Sequence, residues 1–312
     1  MYKKNTIYLF FISISFVFFS SCEKDISINL YEYDSVKVDS LKINNKVLII
    51  GIDGFRSDAM TQEITPSIYE FSQRNVYKNL SHLTEEDTYS GPNWSSILTG
   101  VHYNKHNVTD NSFGGGLFNI FPTFFNYIEN NVNSINTSSI VNWLPINQKI
   151  LSKDVDYYSK SQISDSIVFI EALNLLLNNK PVEPDILFLH FDELDAAGHN
   201  FGFSPNITEY RETLKNIDLY VDSLVGIIDN KRLFDENWMC IIVSDHGGDG
   251  YSHGDYNNIK IRETVFIVEH PSQNFKLQHK SNMTDIAPTV LDFIGISSTN
   301  FDSVRDGQSI LE

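Results

Sequence analysis

The stretch Cys240-Ile-Ile-Val-Ser-Asp-His-Gly-Gly-Asp-Gly-Tyr-Ser-His-Gly-Asp255 decides how the rest of the chain is read. Residues 240–243 are apolar without alternation, the pattern of a strand buried on both faces of a parallel sheet. The run stops at Ser244, and Asp245 and His246 follow at once. Glycines at 247, 248, 250 and 254 let the backbone fold tightly around something small. His253 then returns an imidazole to the same neighbourhood. A carboxylate and two imidazoles on a glycine-rich turn after a strand point to a bound cation. The competing reading is a polar surface loop with incidental histidines. Matching partners elsewhere in the chain weigh against it.

The first partner follows residues 47–52, Val-Leu-Ile-Ile-Gly-Ile, an apolar run that ends at Asp53-Gly54. The second follows residues 186–191, Ile-Leu-Phe-Leu-His-Phe, beyond which lie Asp192, Asp195 and His199. Asp195 and His199 are four apart, so one helical turn puts both side chains on one face, as two ligands of one metal require. Exposed helix pairs have the same spacing. His190, inside the strand, reads as a hydrogen-bonded core histidine, and Asp192 as a supporting group rather than a ligand. In open α/β sheets functional groups collect beyond the carboxyl ends of the strands. Two sets result: Asp195, His199 and His253 around one ion, and Asp53, Asp245 and His246 around another. Oxygen and nitrogen ligands without thiolate suit Zn2+ best, with Mn2+ or Fe as alternatives.

The remaining pattern alternates strand with helix. Strands are expected at 76–80, 138–143, 155–158 and 264–268. Helices are expected from Thr65, as N-cap before Pro66, toward Arg74, and over 122–130, 164–178, 207–228 and 281–294. Alternation of this kind predicts an α/β fold with a central, mostly parallel sheet flanked by helices. No linker divides residues 45–312, which read as one domain. Within Asp87-Thr-Tyr-Ser-Gly-Pro-Asn-Trp-Ser-Ser-Ile-Leu-Thr-Gly100, Pro92 suits the first turn of a helix and Gly100 its stop. Ser90 and Gly91 then fall just before a helix N-terminus, where free N–H groups favour an anion. A nucleophile aimed at a phosphoryl group belongs at Ser90; an N-cap serine is the plainer reading, compatible with it. Residues 102–111 read as a loop, from which Asn111 can turn an amide donor toward the same anion.

The chain has 312 residues, 41% hydrophobic and 20% charged, with a formal charge of −17. That acidity argues against a nucleic-acid polymer, or an anionic membrane, held by charge alone. Lys3 and Lys4 precede an apolar stretch over 7–19, short for a span of roughly 20 residues, and Ser20-Ser21 lead into Cys22. This reads as an export signal. The Phe-Ser-Ser-Cys frame resembles a bacterial lipoprotein signal, which implies a chain lipidated at Cys22 and membrane-anchored outside the cytoplasm; an ordinary cleaved signal or an uncleaved anchor are the rivals. Residues 23–44 read as an acidic tether or edge. Cys240 is then a lone cysteine inside an apolar run, a small buried hydrophobe.

Taken in order, the motifs resemble those of the alkaline phosphatase superfamily, and within it the type I phosphodiesterase/nucleotide pyrophosphatase family, over residues 46–309. Residues 50–58, Ile-Gly-Ile-Asp-Gly-Phe-Arg-Ser-Asp, resemble its opening metal motif. Residues 90–100 resemble its nucleophile motif, with serine where many members have threonine. Asp110-Asn111 is similar to the position whose amide holds a phosphoryl oxygen. Residues 195–199 and 244–247 resemble the next two metal motifs, and 285–291 the closing helix. Asn107 stands where the family usually has glycine, and His253 lies nearer the Asp-His pair than is common. The resemblance implies hydrolysis of a small phosphoric ester through a phosphoseryl intermediate. It implies two divalent ions, one also bound by Ser90, with Asn111 and the Gly91 N–H taking up phosphoryl charge. The rival readings are a phosphomonoesterase, phosphonate hydrolase or sulfatase on the same fold, or a non-catalytic binding lipoprotein. Trp94, in place of the arginine of a Ser-x-Pro-x-Arg frame, counts against a formylglycine sulfatase.

Overall fold

The computed structural model describes residues 30–33, 45–131, 135–151, 154–296 and 304–312. The signal-like segment ending at Cys22 and most of residues 23–44 lie outside that range. Among the described residues no helix is long and apolar enough to cross a membrane.

Among the described residues, eight strands form one sheet: β1 (Tyr31–Tyr33), β2 (Asn45–Ile52), β3 (Val76–Leu83), β4 (Thr137–Val141), β5 (Tyr157–Ser159), β6 (Ile186–Phe191), β7 (Asn237–Val243) and β8 (Glu263–Glu269), in the order β1-β5-β4-β6-β2-β7-β8-β3. The inner run from β5 to β7 is parallel; β8 is antiparallel to β7 and to β3, and β1 to β5. The mostly parallel α/β architecture is therefore the one the alternation predicts. β1 shows that the segment read as a tether includes a short edge strand.

Register fixes the functional edge. Ile52 pairs with Phe191, and Gly51 with Val243. Asp53, Asp192 and Ser244 therefore leave neighbouring strands at nearly the same height, and Asp53 N–H closes on Phe191 O at 2.9 Å. Because β8 runs the other way, the loop that joins β7 to it stays on this same edge and brings His253 with it.

Apolar residues cover both faces of the sheet. Leu48, Ile50, Leu187, Leu189, Cys240 and Ile242 face one core, while Val47, Ile49, Phe188, Met239 and Ile241 face the other. Each fully buried Ile or Leu contributes about 1.5–3 kcal/mol. The Cys240 side chain is fully enclosed, and burial pushes its thiol up to about 12.

The helices are α1 (Pro66–Phe71), α2 (Ser90–Thr99), α3 (Tyr103–His106), α4 (Phe124–Asn131), α5 (Asp165–Leu176), α6 (Glu193–Phe201), α7 (Thr208–Arg232), α8 (Ile259–Arg262) and α9 (Ile286–Phe293). On α7, Tyr210, Leu214, Ile217, Val221, Leu224 and Ile228 are buried at three- and four-residue steps, a helix with one face on the sheet. Four local expectations need correction. Thr65 does not cap α1 with its side chain; Asp218, reaching from α7, accepts the Ser67 and Ile68 N–H groups instead. Helix α2 begins at Ser90, two residues before Pro92, with Tyr89 as N-cap. The expected loop at 102–111 contains α3, which ends at Asn107 with φ of 59°. Asparagine tolerates that left-handed conformation, which explains why it can stand in a position suited to glycine. Finally, the expected helix over 281–294 opens with a 3-10 turn, Met283–Asp285, under an Asn282 capping box.

Candidate metal centre and nucleophile

Three imidazoles meet at the carboxyl edge of the sheet, and backbone carbonyls set the tautomer of each. Nδ1 of His199 lies 2.9 Å from Tyr251 O, Nδ1 of His246 lies 2.8 Å from Gly247 O, and Nδ1 of His253 lies 2.8 Å from Thr88 O. A carbonyl only accepts, so each Nδ1 carries a proton, and in the neutral ring Nε2 presents the lone pair. A second partner that orients the ring in this way is the usual companion of a metal-ligating histidine.

What those lone pairs face is the informative part. His253 Nε2 and His199 Nε2 stand 3.2 Å apart. Asp195 Oδ2 is 3.4 Å from His199 Nε2, and its Oδ1 is 4.0 Å from His253 Nε2. Across the site, His246 Nε2 is 3.3 Å from Asp53 Oδ1 and 3.3 Å from Asp245 Oδ2. Asp53 Oδ1, Asp195 Oδ1 and Asp245 Oδ2 are all buried and lack a hydrogen-bond partner. Buried lone pairs and carboxylate oxygens turned on one another are unfavourable unless a cation lies among them.

The acid–base balance carries the same strain. Burial, then the Asp53 charge, raises the Asp195 and Asp245 carboxyls well above their usual range. Burial pushes Asp53 upward too, but the hydrogen bond from His190, the nearby His246 and the Trp94 indole outweigh it and hold that carboxyl down at about 2. Burial lowers His253 to about 3, so that ring offers no positive charge to the carboxylates. Divalent ions would relieve this directly.

Ligand atoms of Asp195, His199 and His253 all lie within 4.8 Å of one another, as do those of Asp53, Asp195 and His246. The first group is one of the two sets read from the sequence. The second links that set to Asp53 and His246, with Asp245 joined through the contact to His246. The donor set of carboxylates and imidazoles thus fits two adjacent ions. Asp53, His190 and Asp192 form a further compact group. There, His190 Nε2 bonds to Asp53 Oδ2 at 3.1 Å, the role of a hydrogen-bonded core histidine.

Ser90 Oγ lies 3.3 Å from His246 Nε2, where its hydroxyl can donate to the bare lone pair. Gly91, expected as a donor to substrate, gives its N–H instead to Asn111 Oδ1 at 2.7 Å. That bond leaves the Asn111 Nδ2 as the amide's donor. It also requires glycine: a Cβ on residue 91 would come within 2.7 Å of Asp110 O and 3.1 Å of Asn111 Oδ1.

Several supporting groups were not apparent in the sequence. Trp94 Nε1 donates to Asp53 Oδ2 at 3.0 Å, and its ring lies where a Cβ on Gly51 would be, 2.5 Å from the nearest ring atom. Asp165 accepts the Asp192 and Glu193 N–H groups and so anchors the start of α6, the helix of Asp195 and His199. The Arg56 guanidinium is held by Phe203 O and Asp58. Lys105 is held by Asp306 and Val304 O.

Comparison with known proteins assigns the family and the fold. The profile of the type I phosphodiesterase / nucleotide pyrophosphatase family matches residues 47–114 and 145–289. The human bis(5'-adenosyl)-triphosphatase ENPP4 is 26% identical over 226 residues, covering 65% of this chain and 47% of that protein. The chain thus spans about half the length of the curated relatives it matches. Murine ENPP5, solved in complex with AMP, superposes with a TM-score of 0.62 at 16% identity, covering 86% of this chain and all of that one. A 2-O glycosaminoglycan sulfatase gives 0.65 at 15% identity, covering 86% and 73%. At these identities the structural likeness speaks for the fold.

Proposed function

Because the chain belongs to the type I phosphodiesterase/nucleotide pyrophosphatase family, we propose that it is a two-metal hydrolase of small phosphodiesters with Ser90 as nucleophile. The observation that carries this reading is the meeting of three Nδ1-locked imidazoles with three partnerless carboxylate oxygens beside Ser90. Asp195, His199 and His253 would hold one ion; Asp53, Asp245, His246 and Ser90 would hold the other, with Zn2+ the best match to the donors. Such ions, when bound, supply Lewis acidity toward the attacking and leaving oxygens of an in-line displacement.

The chain's own residues do the rest. Ser90 Oγ forms a bond to phosphorus as the ester oxygen on the opposite side departs with its electron pair and gains a proton. Water then cleaves the phosphoserine and regenerates the hydroxyl. With His246 Nε2 committed to an ion, the Ser90 proton would leave to solvent; the 3.3 Å between Ser90 Oγ and that nitrogen puts both groups within reach of the same ion. Asn111 Nδ2, left over once Oδ1 has accepted from Gly91, would serve as a neutral donor to the phosphoryl oxygens where charge develops.

A diester is favoured over a monoester by the charges around Ser90. Glu85, Glu86 and Asp110 gather about Asp87, three residues before Ser90, and burial together with those neighbours raises the Asp87 carboxyl. Arg56 and Lys105 are tied up elsewhere. A singly charged phosphoryl group suits that field better than a dianion. A formylglycine sulfatase is disfavoured, since Trp94 stands in the arginine position and bonds to Asp53.

The test is kcat/KM for bis-p-nitrophenyl phosphate against p-nitrophenyl phosphate, on protein assayed for metal and after exhaustive chelation. The diester should be preferred and chelation should abolish turnover. A tenfold monoester preference, about 1.4 kcal/mol, would overturn the diester assignment. Full activity without metal would overturn the centre.

A further inference from the structure

Phe203 follows α6, and its ring is 1% exposed. A Cβ placed on Gly198 would fall 2.3 Å from that ring, one on Gly248 2.2 Å, and one on Gly54 3.1 Å. Carbon atoms in contact settle roughly 3.5–4.0 Å apart. A side chain at Gly198 or Gly248 is therefore incompatible with the ring in its present place. Each of these glycines belongs to a ligand-bearing segment: Gly54 follows Asp53, Gly198 precedes His199, and Gly248 lies two residues past His246. A glycine inside a helix costs about 1 kcal/mol relative to alanine, so Gly198 in α6 marks a demand for space.

The ring also meets both imidazoles of the first set. It stands edge-on to His199 at 5.1 Å and 83°, and to His253 at 6.0 Å and 82°. Its backbone ties the same pieces together. Phe203 N–H bonds to Gly250 O at 2.7 Å, in the loop that carries His253, and Phe203 O accepts from Arg56 just beyond Asp53.

We propose that Phe203 is a positioning residue for the metal centre: its ring is the spacer that sets the separation of the Asp53 turn, α6 and the 247–254 loop. Packed interiors respond to a change of even one methylene. Loss of the ring therefore lets the three segments close or drift, and the 3.2 Å juxtaposition of His199 and His253 Nε2 goes with it. A plain core residue would lower stability and leave the metal geometry of the folded protein alone. The inference rests on the reading of the site as a two-ion centre.

The experiment uses full-length Phe203→Leu, Gly198→Ala and the double variant Gly198→Ala/Phe203→Ala. Zn2+ affinity is measured by chelator competition, Co2+ spectra are recorded, and the melting temperature of metal-free protein is taken separately. Phe203→Leu should bind the more weakly held Zn2+ at least tenfold less tightly and change the visible Co2+ bands. Gly198→Ala should do the same by displacing the ring. The double variant should recover part of the affinity, because the new methyl enters vacated space. A folded Phe203→Leu, or a folded Gly198→Ala, with wild-type affinity and spectrum would overturn the proposal while leaving the centre intact. Wild-type protein that binds neither Zn2+ nor Co2+ would overturn both.

Discussion

Substituting Gly91 by alanine tests how Asn111 is held against the start of α2, beside the proposed nucleophile Ser90. The added methyl would sit 2.7 Å from Asp110 O and 3.1 Å from Asn111 Oδ1. The carbonyl contact must open by several tenths of an ångström at least, against a carbon–oxygen limit of roughly 3.3 Å. Since α2 is buried along its whole length, the loop around residue 110 is the part that yields. The 2.7 Å bond from Gly91 N–H to Asn111 Oδ1 then lengthens or breaks, and the Asn111 amide loses its fixed orientation. Losing one donor of this kind costs about 2.7–4 kcal/mol in the transition state, or a factor of 10² to 10³ in kcat. Steady-state hydrolysis of bis-p-nitrophenyl phosphate at saturation should show that fall with KM little changed. The metal content should stay at the wild-type level. Gly91→Ala/Asn111→Ala should be no slower than Asn111→Ala alone, because both changes remove one interaction. Wild-type kcat in Gly91→Ala, or losses that multiply in the double variant, would refute this account.

Trp94→Phe removes the indole N–H from Asp53 Oδ2 while keeping most of the ring, so the ion held by Asp53 should bind about 10- to 100-fold more weakly; unchanged affinity in chelator competition would contradict it. His106 is buried, and burial holds its imidazole down at about 4. The unfolded chain takes up that proton near 6.5 and the native state does not, so its contribution is complete above about 6.5 and is lost as pH falls, by up to about 1.4 kcal/mol per unit. The stability advantage of wild type over His106→Gln, from denaturant titrations, should therefore shrink between pH 7.5 and 5, and a constant gap would count against it. We propose that Cys22 carries lipid: Cys22→Ser should abolish labelling by a fatty-acid probe in an expressing bacterium, and retained labelling would show that Cys22 is not the lipidated residue.

The ligand-bearing strands were legible because apolar runs such as 47–52 and 186–191 stop abruptly at Asp53 and Asp192. Residue type then named the candidate ligands, and the sheet register explains why sites so distant in sequence converge. Less visible were contacts whose second partner is backbone. Nothing in the letters shows that Tyr251 O, Gly247 O and Thr88 O fix three imidazole tautomers. Trp94 read as evidence against one enzyme class, because it stands where a formylglycine sulfatase needs arginine. Its bond to Asp53 depends on the absent side chain at Gly51, a relation between two segments that neither shows alone. Asp218 was hidden for a similar reason: it caps a helix that begins about 150 residues earlier in the chain, where Thr65 offered a local candidate.

The order β6-β2-β7 also has a bearing on how the protein is made. Strand β2 is synthesised early, yet both of its neighbours come from the second half of the chain. Until β7 has emerged, one side of β2 is an open row of unpaired N–H and C=O groups, a template for association with other chains. Parallel pairing at such sequence separation is slow to form. Asp53 waits through that interval without Asp245 or His246, so a growing chain has no complete cation site to offer. Metal uptake is thus a late event, available only to a molecule whose central sheet is finished. A cell that rations a metal by affinity would in effect be inspecting the fold.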